Sequence, residues 1–186
     1  MRPKFNPVNS NNAHFVAQPP LDMIQKKLGM IPNLLGILAI NPKALQSYLA
    51  LEEFFTASGL NELEQQVVLM TVSMENKCNY CVAAHSAISA MNKLDKKVIQ
   101  QLKNGEALEN RKLEGLRTFT KRIVSAKGWV DNSDLELFMD YGYSIEHVLA
   151  VIIGVSMKTL SNYTNHIAQT EIDEPFKSYN TIKDYN

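Results

Sequence analysis

The chain has 186 residues and a mass of 21.0 kDa, which is about the size of a single domain. Hydrophobic residues make up 45% of it and charged residues 20%, as in an ordinary soluble globular protein. The 19 basic side chains balance the 19 acidic ones, so the composition excludes the electrostatic attraction typical of proteins that bind nucleic acid or anionic membranes.

Residues 1–20 are rich in Asn and Pro and predict an extended N-terminal arm that packs on the body of the protein or on a neighbour. Turn signals divide the remainder, residues 21–186, into the helices of a single domain. The predicted helical segments are 22–28, 34–40, 42–55, one from 61 onward, 83–91, 95–103, 108–126, 133–141 and a last long helix from 145 to about 168. The polar residues expected to cap them are Asn33, Asn41, Asn61 with Glu64 in a capping box, Ser133 and Ser144. No stretch shows the sustained two-residue alternation of a strand, so the predicted fold class is all-α.

The last helix is apolar on nearly every side over residues 148–155. Such a helix is normally buried on several sides, in the centre of a bundle or in a subunit interface. Its second half brings polar groups to the same helix, at Ser161, Asn162, Asn165 and His166.

No segment predicts secretion or insertion into a membrane. Residues 1–7 contain no apolar signal region, and the apolar run 148–155 is far shorter than the roughly 20 residues that span a bilayer. We therefore expect a cytoplasmic protein, in which a persistent disulfide is unusual and a cycling disulfide is normal.

The two cysteines of the chain, Cys78 and Cys81, lie three positions apart, and His85 follows four positions later. On a continuous helix these spacings place the three side chains on one face, which apolar residues extend upstream, so the thiols are expected under apolar cover. Alternatively, Asn76 and Asn79 break the helix. The cysteines then occupy the first turn of a new helix, where the helix dipole favours a thiolate.

This cluster predicts redox chemistry. Cys81 attacks a peroxide oxygen as a thiolate and becomes a sulfenic acid, while His85 acts as the base that takes the thiol proton. Cys78 condenses with the sulfenic acid to form a disulfide, and an external reductant restores the dithiol by exchange.

The string from 74 to 85 resembles the C-x-x-C-x-x-x-H signature of the carboxymuconolactone decarboxylase superfamily, in its alkylhydroperoxidase AhpD-like branch. Segments 28–34, 60–85 and 160–166 are all similar to peroxidase-related members of that family. The resemblance implies an all-helical AhpD-like bundle, a trimer or hexamer, and thiol peroxidase or disulfide reductase activity without metal, haem or other cofactor. The expected partners are an organic or hydrogen peroxide and a thiol or dithiol reductant or adaptor protein, with no nucleic acid and no membrane.

Two positions depart from the AhpD-type proton relay. Gln66 occupies the position of a Glu, and Tyr80 occupies the position of a His just before the second cysteine. A Gln cannot accept a proton as a carboxylate does, and a Tyr is a weak base. Glu64, Glu75 or His166 could complete the relay instead.

Other interpretations remain open at this stage. The two cysteines could be small buried apolar residues, or zinc ligands if His166 or His147 joined them. Attachment of c-type haem requires a His where Val82 stands. The alternative functions are a weakly catalytic redox sensor or disulfide oxidoreductase, and a small-molecule enzyme of the carboxymuconolactone decarboxylase type.

Overall fold

The computed structural model describes residues 3–180, and this part of the chain contains ten helices and no strand. The all-α prediction is therefore confirmed. The helices are α1 (Gln18–Leu28), α2 (Asn33–Leu38), α3 (Pro42–Thr56), α4 (Glu62–Glu75), α5 (Asn79–Met91), α6 (Lys96–Asn104), α7 (Arg111–Ser125), α8 (Asn132–Asp140), α9 (Ile145–Ala168) and α10 (Glu174–Lys177).

Three of the predicted N-caps are confirmed. Asn41 caps α3 by accepting a hydrogen bond from the backbone N–H of Lys43. Asn61 and Glu64 form the expected capping box at the start of α4, with bonds of 3.0 Å in both directions. Ser144 begins α9.

Two predicted caps are wrong. Asn33 is the first residue of α2, and its backbone N–H donates to the Asp173 carboxylate at 3.0 Å, so the cap comes from the far end of the chain. At α8 the cap is Asp131 rather than Ser133. Asp131 accepts from the backbone N–H of Asp134 and forms a capping box with it. Ser133 lies inside the first turn of α8, so its hydroxyl is not at the N-cap position.

The predicted arm packs on the body over part of its length. The backbone N–H of Val8 donates to the carbonyl of Gly36 at 3.1 Å, and Ala13 and Ala17 are buried. Gly36 permits this approach, because a Cβ there would lie 2.7 Å from the Val8 carbonyl oxygen. Residues 18–20 belong to α1, since proline is compatible with the first turn of a helix.

Helix α4 lies at the centre and packs against α5, α6, α7 and α9. One apolar cluster fills the space between α4, α7 and α9, and a second lies between α1, α2, α3 and the start of α5. The second cluster includes both cysteines, so the predicted apolar cover of the thiols is confirmed.

Helix α9 is buried along one side only in this chain. Val151, Gly154 and Met157 face the core, whereas Leu149 is 60% exposed and Ile152 is 45% exposed. Of the two expected settings, the centre of a bundle is therefore wrong, and a subunit interface stays a prediction. No single helix among residues 3–180 is long and apolar enough to cross a bilayer; α8 and α9 reach that length only as a pair bent by 107°.

Candidate active site

The chain breaks between α4 and α5 immediately before the cysteines. Lys77 adopts a left-handed backbone conformation with φ of 55°, which ends one helix and redirects the chain into the next. Cys78 is the N-cap residue of α5, and Cys81 is its third helical residue. The broken arrangement is thus the correct one of the two predicted, and both sulfurs lie in the first turn of a helix, where its dipole favours a negative charge.

The two thiols are buried and are not joined in a disulfide. Helix α9 supplies amide donors to them. Asn162 Nδ2 lies 3.0 Å from Cys81 Sγ, and Asn165 Nδ2 lies 3.2 Å from Cys81 Sγ and 3.7 Å from Cys78 Sγ. Asn76 donates to the Asn162 Oδ1 atom at 2.9 Å, which orients that amide so that its N–H points to the sulfur.

A lysine lies beside the same sulfur. Lys158 is 1% exposed and lines the same cavity as Cys81, and its positive charge favours the Cys81 thiolate. Burial alone raises the pKa of Cys81, but the hydrogen bond from Cys78, the Lys158 charge and the Asn165 amide outweigh it and lower the pKa to about 5. The pKa of Cys78 is raised, because its thiol donates to Cys81 and is buried. Cys81 is therefore the ionised thiol of the pair and Cys78 the protonated one.

The hydrogen-bond partners of the His85 ring are Gln66 and Lys158. Its Nδ1 lies 3.0 Å from Gln66 Oε1, and its Nε2 lies 3.0 Å from Lys158 Nζ. An amide oxygen only accepts, so Nδ1 carries the ring proton and Nε2 accepts from the lysine. Burial and the Lys158 charge hold the pKa of His85 well below its ordinary value, so the ring is neutral.

Gln66 and Tyr80 occupy different places in this arrangement. Gln66 belongs to the hydrogen-bonded chain that leads through His85 to Lys158. Tyr80 lines the cavity described below, but its hydroxyl donates to Asp173 Oδ2 at 2.5 Å and accepts from the backbone N–H of Leu34 at 3.2 Å. Burial and the bond to Asp173 raise the pKa of Tyr80, so this hydroxyl holds the C-terminal segment in place and keeps its proton.

Glu64 and His166 lie outside the cluster. Beyond its capping box, the Glu64 carboxylate accepts from Tyr143 at 3.1 Å and pairs with Lys112 at 3.0 Å. His166 is exposed and lies near the ring of Tyr163. Glu64 is bonded elsewhere and His166 is exposed, whereas both thiols are buried, so these two alternatives lie away from the cysteines.

A cavity of about 350 Å³ opens onto Cys81. Its walls are mostly apolar and come from α2, α3, α4, α5 and α9, with Phe176 of the C-terminal segment at one side. Cys81, His85 and Lys158 line it, whereas Cys78 does not. A small molecule in this cavity would meet the sulfur of Cys81 first.

Lys158 is the functional residue that the sequence analysis missed. A signal for it exists, since it is the one charged residue between Val148 and His166 in a helix whose core-facing side is otherwise apolar or amide-bearing. It also lies four positions before Asn162 and seven before Asn165, which places all three on one face. Among residues 3–180 no group of three or more His, Cys, Asp or Glu side chains is arranged to hold a metal ion.

No protein-family model and no curated protein sequence matches the chain. Solved structures do match it in fold. A peroxidase-related protein from Ralstonia eutropha JMP134, described as an alkylhydroperoxidase AhpD core, superposes with a TM-score of 0.82 at 20% identity, over 95% of this chain and 96% of the other. The fold is AhpD-like.

Two further structures extend this likeness. A peroxidase-related protein from Silicibacter sp. TM1040 gives a TM-score of 0.77 at 21% identity, over 95% of this chain and 96% of the other. A cysteine-to-alanine variant of the debrominase Bmp8 in complex with 2,3,4-tribromopyrrole gives 0.80 at 15% identity, over 96% of each chain. The AhpD-like fold therefore supports more than one activity.

Proposed function

We propose that this protein is a thiol-dependent peroxidase that reduces organic or hydrogen peroxide through a dithiol–disulfide cycle of Cys81 and Cys78. The observation that carries the proposal is the Cys81 sulfur, which lines the cavity and accepts from the Asn162 and Asn165 amides, while the buried Cys78 thiol does not line the cavity. The AhpD-like fold of peroxidase-related proteins supports it.

The cycle has three steps. The Cys81 thiolate attacks the outer peroxide oxygen, an S–O bond forms as the O–O bond breaks, and the leaving oxygen takes a proton. The Cys78 sulfur then attacks the sulfenic sulfur of Cys81, so an S–S bond forms and hydroxide leaves with the Cys78 proton as water. A dithiol donor reduces the disulfide by exchange and becomes a disulfide itself.

Cys78 is well placed for the second step. Asn165 Nδ2 lies 3.2 Å from Cys81 Sγ and 3.7 Å from Cys78 Sγ, so one amide group contacts both sulfurs. Two sulfurs that share one amide need only a small movement to form a bond, because both residues lie in the first turn of α5.

Reductive dehalogenation is a second candidate, which the likeness to the debrominase Bmp8 and the apolar cavity beside Cys81 both favour. The same two thiols would supply the two electrons: an aryl halide and two thiols give the arene, hydrogen halide and one disulfide. A cavity of about 350 Å³ is large enough for a small halogenated ring.

The test is a steady-state assay of peroxide consumption with dithiothreitol as donor. We expect turnover by the wild type, none by Cys81→Ser, and a single oxidation event in Cys78→Ser that leaves a sulfenic acid reactive toward dimedone. Circular dichroism melts of both variants serve as the folding control. If both variants consume peroxide at the wild-type rate, the proposed mechanism is wrong.

The same samples discriminate among the alternatives. Dithiol-dependent release of bromide from a bromopyrrole, without peroxide turnover, would favour the dehalogenase. A slow reaction with peroxide, together with a change of oligomeric state between reduced and oxidised protein, would favour a redox sensor.

A further inference from the structure

Lys158 is a buried cation without a carboxylate partner. No ion pair among the described residues includes it, and its side chain is one of the largest that the core buries completely. A buried ammonium is costly unless an anion accompanies it. The anion that acts on it is the Cys81 thiolate, and the attraction between the two opposite charges offsets part of the free-energy cost of burying each of them.

The other titratable groups around Lys158 do not include a second anion that contacts its ammonium. From α5 it meets the neutral ring of His85 and the protonated thiol of Cys78. From α3 the exposed Glu52 side chain acts on it through its charge, and partial desolvation raises the pKa of that carboxyl. Tyr48, also from α3, keeps its proton because burial raises its pKa.

Oxidation removes the charge partner. A sulfenic acid or a disulfide at Cys81 is neutral, so the buried ammonium loses the thiolate and keeps only the charge of the exposed Glu52 side chain, which water screens. The leaving oxygen of the first step needs a proton at the same moment, and Lys158 lines the cavity in which that oxygen forms.

We propose that Lys158 is a catalytic residue whose protonation follows the redox state of Cys81: it is an ammonium beside the thiolate and an amine beside the disulfide. The proposal rests on the proposed peroxidase cycle and states which group gives the proton to the leaving oxygen. As the O–O bond breaks, the Lys158 ammonium gives a proton to the leaving alkoxide, which departs as an alcohol. When the donor dithiol restores Cys81 as a thiol, the Lys158 amine takes that proton back.

Gln66 and His85 have positioning roles in this scheme. The Gln66 oxygen keeps the His85 proton on Nδ1, so Nε2 presents a lone pair to the lysine at 3.0 Å. That bond holds the ammonium beside Cys81 without taking its proton, because the His85 ring remains neutral.

The decisive measurement is the equilibrium of the Cys78–Cys81 pair with dithiothreitol as a function of pH. If Lys158 takes up a proton when the disulfide is reduced, both protons of the donor stay with the protein, and the exchange constant is independent of pH between about 6 and about 8. If Lys158 keeps its proton in the disulfide state, one proton is released and the constant rises about tenfold per pH unit, which would overturn the proposal.

Glu52→Gln is the control for the carboxyl that acts on Lys158 through its charge, and we expect the same flat profile from it. A pH dependence that appears only in Glu52→Gln would assign the proton taken up on reduction to Glu52 and overturn the proposal. This equilibrium does not require peroxide, so it separates a failure of the Lys158 assignment from a failure of the peroxidase function.

Lys158→Met tests the transfer to the leaving oxygen, with Lys121→Met on the exposed side of α7 as the matched control. Oxidation of Cys81 is measured at a pH where it is ionised in both proteins. We expect a loss on the order of 100-fold with an alkyl hydroperoxide, whose alkoxide needs the proton, and a much smaller loss with a peroxyacid, whose carboxylate does not. Equal losses with both oxidants would show that Lys158 only stabilises the thiolate, and the proposal would be wrong.

Discussion

The Asn165 amide offers a direct test of what ionises Cys81. Its Nδ2 atom donates to Cys81 Sγ at 3.2 Å and is one of the causes that lower the pKa of this thiol. Its Oδ1 atom is buried without a hydrogen-bond partner. Asn165→Ala therefore removes a donor to the thiolate together with an unpaired oxygen, so the fold is expected to tolerate it.

The size of the effect follows from the charge on the acceptor. A hydrogen bond to a charged group is worth about 1.5–3 kcal/mol, and one pKa unit corresponds to about 1.4 kcal/mol. We therefore expect Asn165→Ala to raise the pKa of Cys81 by about one to two units from the value of about 5 in the wild type. Near pH 6 the thiolate fraction then falls from roughly 90% to about 10–50%.

The assay is the pH dependence of alkylation by iodoacetamide, followed by mass spectrometry. Cys78 does not interfere below neutral pH, because its pKa is raised. The alkylation rate of Asn165→Ala should be roughly two- to tenfold lower near pH 6 and should approach the wild-type rate in alkaline solution, where both proteins are fully ionised.

Two further variants serve as controls for this measurement, one with a larger expected effect and one with none. Asn165→Asp places a carboxylate beside the thiolate, so it should raise the pKa of Cys81 further than the Ala variant does. Thr159→Ala, on the same helix, removes a hydroxyl that only bonds the carbonyl of Val155, and it should leave the profile unchanged. A Cys81 pKa that stays within about 0.3 units of the wild type in Asn165→Ala would refute the reasoning.

Three other predictions concern the structure around the site. Gly154→Ala should lower the free energy of unfolding in urea by about 1–3 kcal/mol, because its Cβ would lie 2.7 Å from the Phe55 ring; a stability gain, as helix propensity alone predicts, would contradict this packing. Tyr80→Phe should cost about 1–3 kcal/mol in the same assay, since it leaves the buried Asp173 carboxylate without its hydroxyl donor; unchanged stability would show that this bond contributes nothing. Burial raises the pKa of Glu64, but its hydrogen bonds and the charge of Lys112 outweigh this effect and lower the pKa. Glu64→Gln should therefore destabilise the protein at neutral pH, and this destabilisation should decrease as the pH falls through the pKa of Glu64 in the folded state. A stability difference that does not depend on pH, in parallel melts of both proteins, would contradict that assignment.

The sequence predicts the local parts of this site well. Cys78, Cys81 and His85 lie within eight positions of one another, and helical spacing suffices to place them together. The capping box of Asn61 and Glu64 is equally local. In each case the interacting groups are separated by one turn of helix, so no knowledge of the tertiary packing is required.

The remaining parts depend on contacts between distant segments. The Asn33 N–H is capped by Asp173, 140 positions along the chain. The donors to Cys81 come from α9, 81 and 84 positions later. The sequence shows these polar residues on one helix, but it does not show which face of the bundle that helix presents.

The departure at position 66 and the lysine at position 158 are explained together by the charge balance of the site. The buried cluster holds one anion, the Cys81 thiolate, and one cation, the Lys158 ammonium. A Glu in place of Gln66 would add a second anion against His85 and favour an imidazolium there, which would draw the proton away from Lys158. With a neutral amide at position 66, the ring stays neutral and the lysine keeps its proton for the thiolate.

Tyr80 fits the same logic. A His at this position would be a second group able to take a proton near the thiols, whereas the Tyr80 hydroxyl is already bonded to Asp173 and Leu34. The two positions that look like defects in a Glu–His relay thus remove competing proton acceptors from a site whose proton is carried by Lys158. Restoring only one of them, as in Gln66→Glu, should therefore raise the pKa of Cys81 and slow its reaction near neutral pH, although it makes the sequence more similar to an AhpD-type relay.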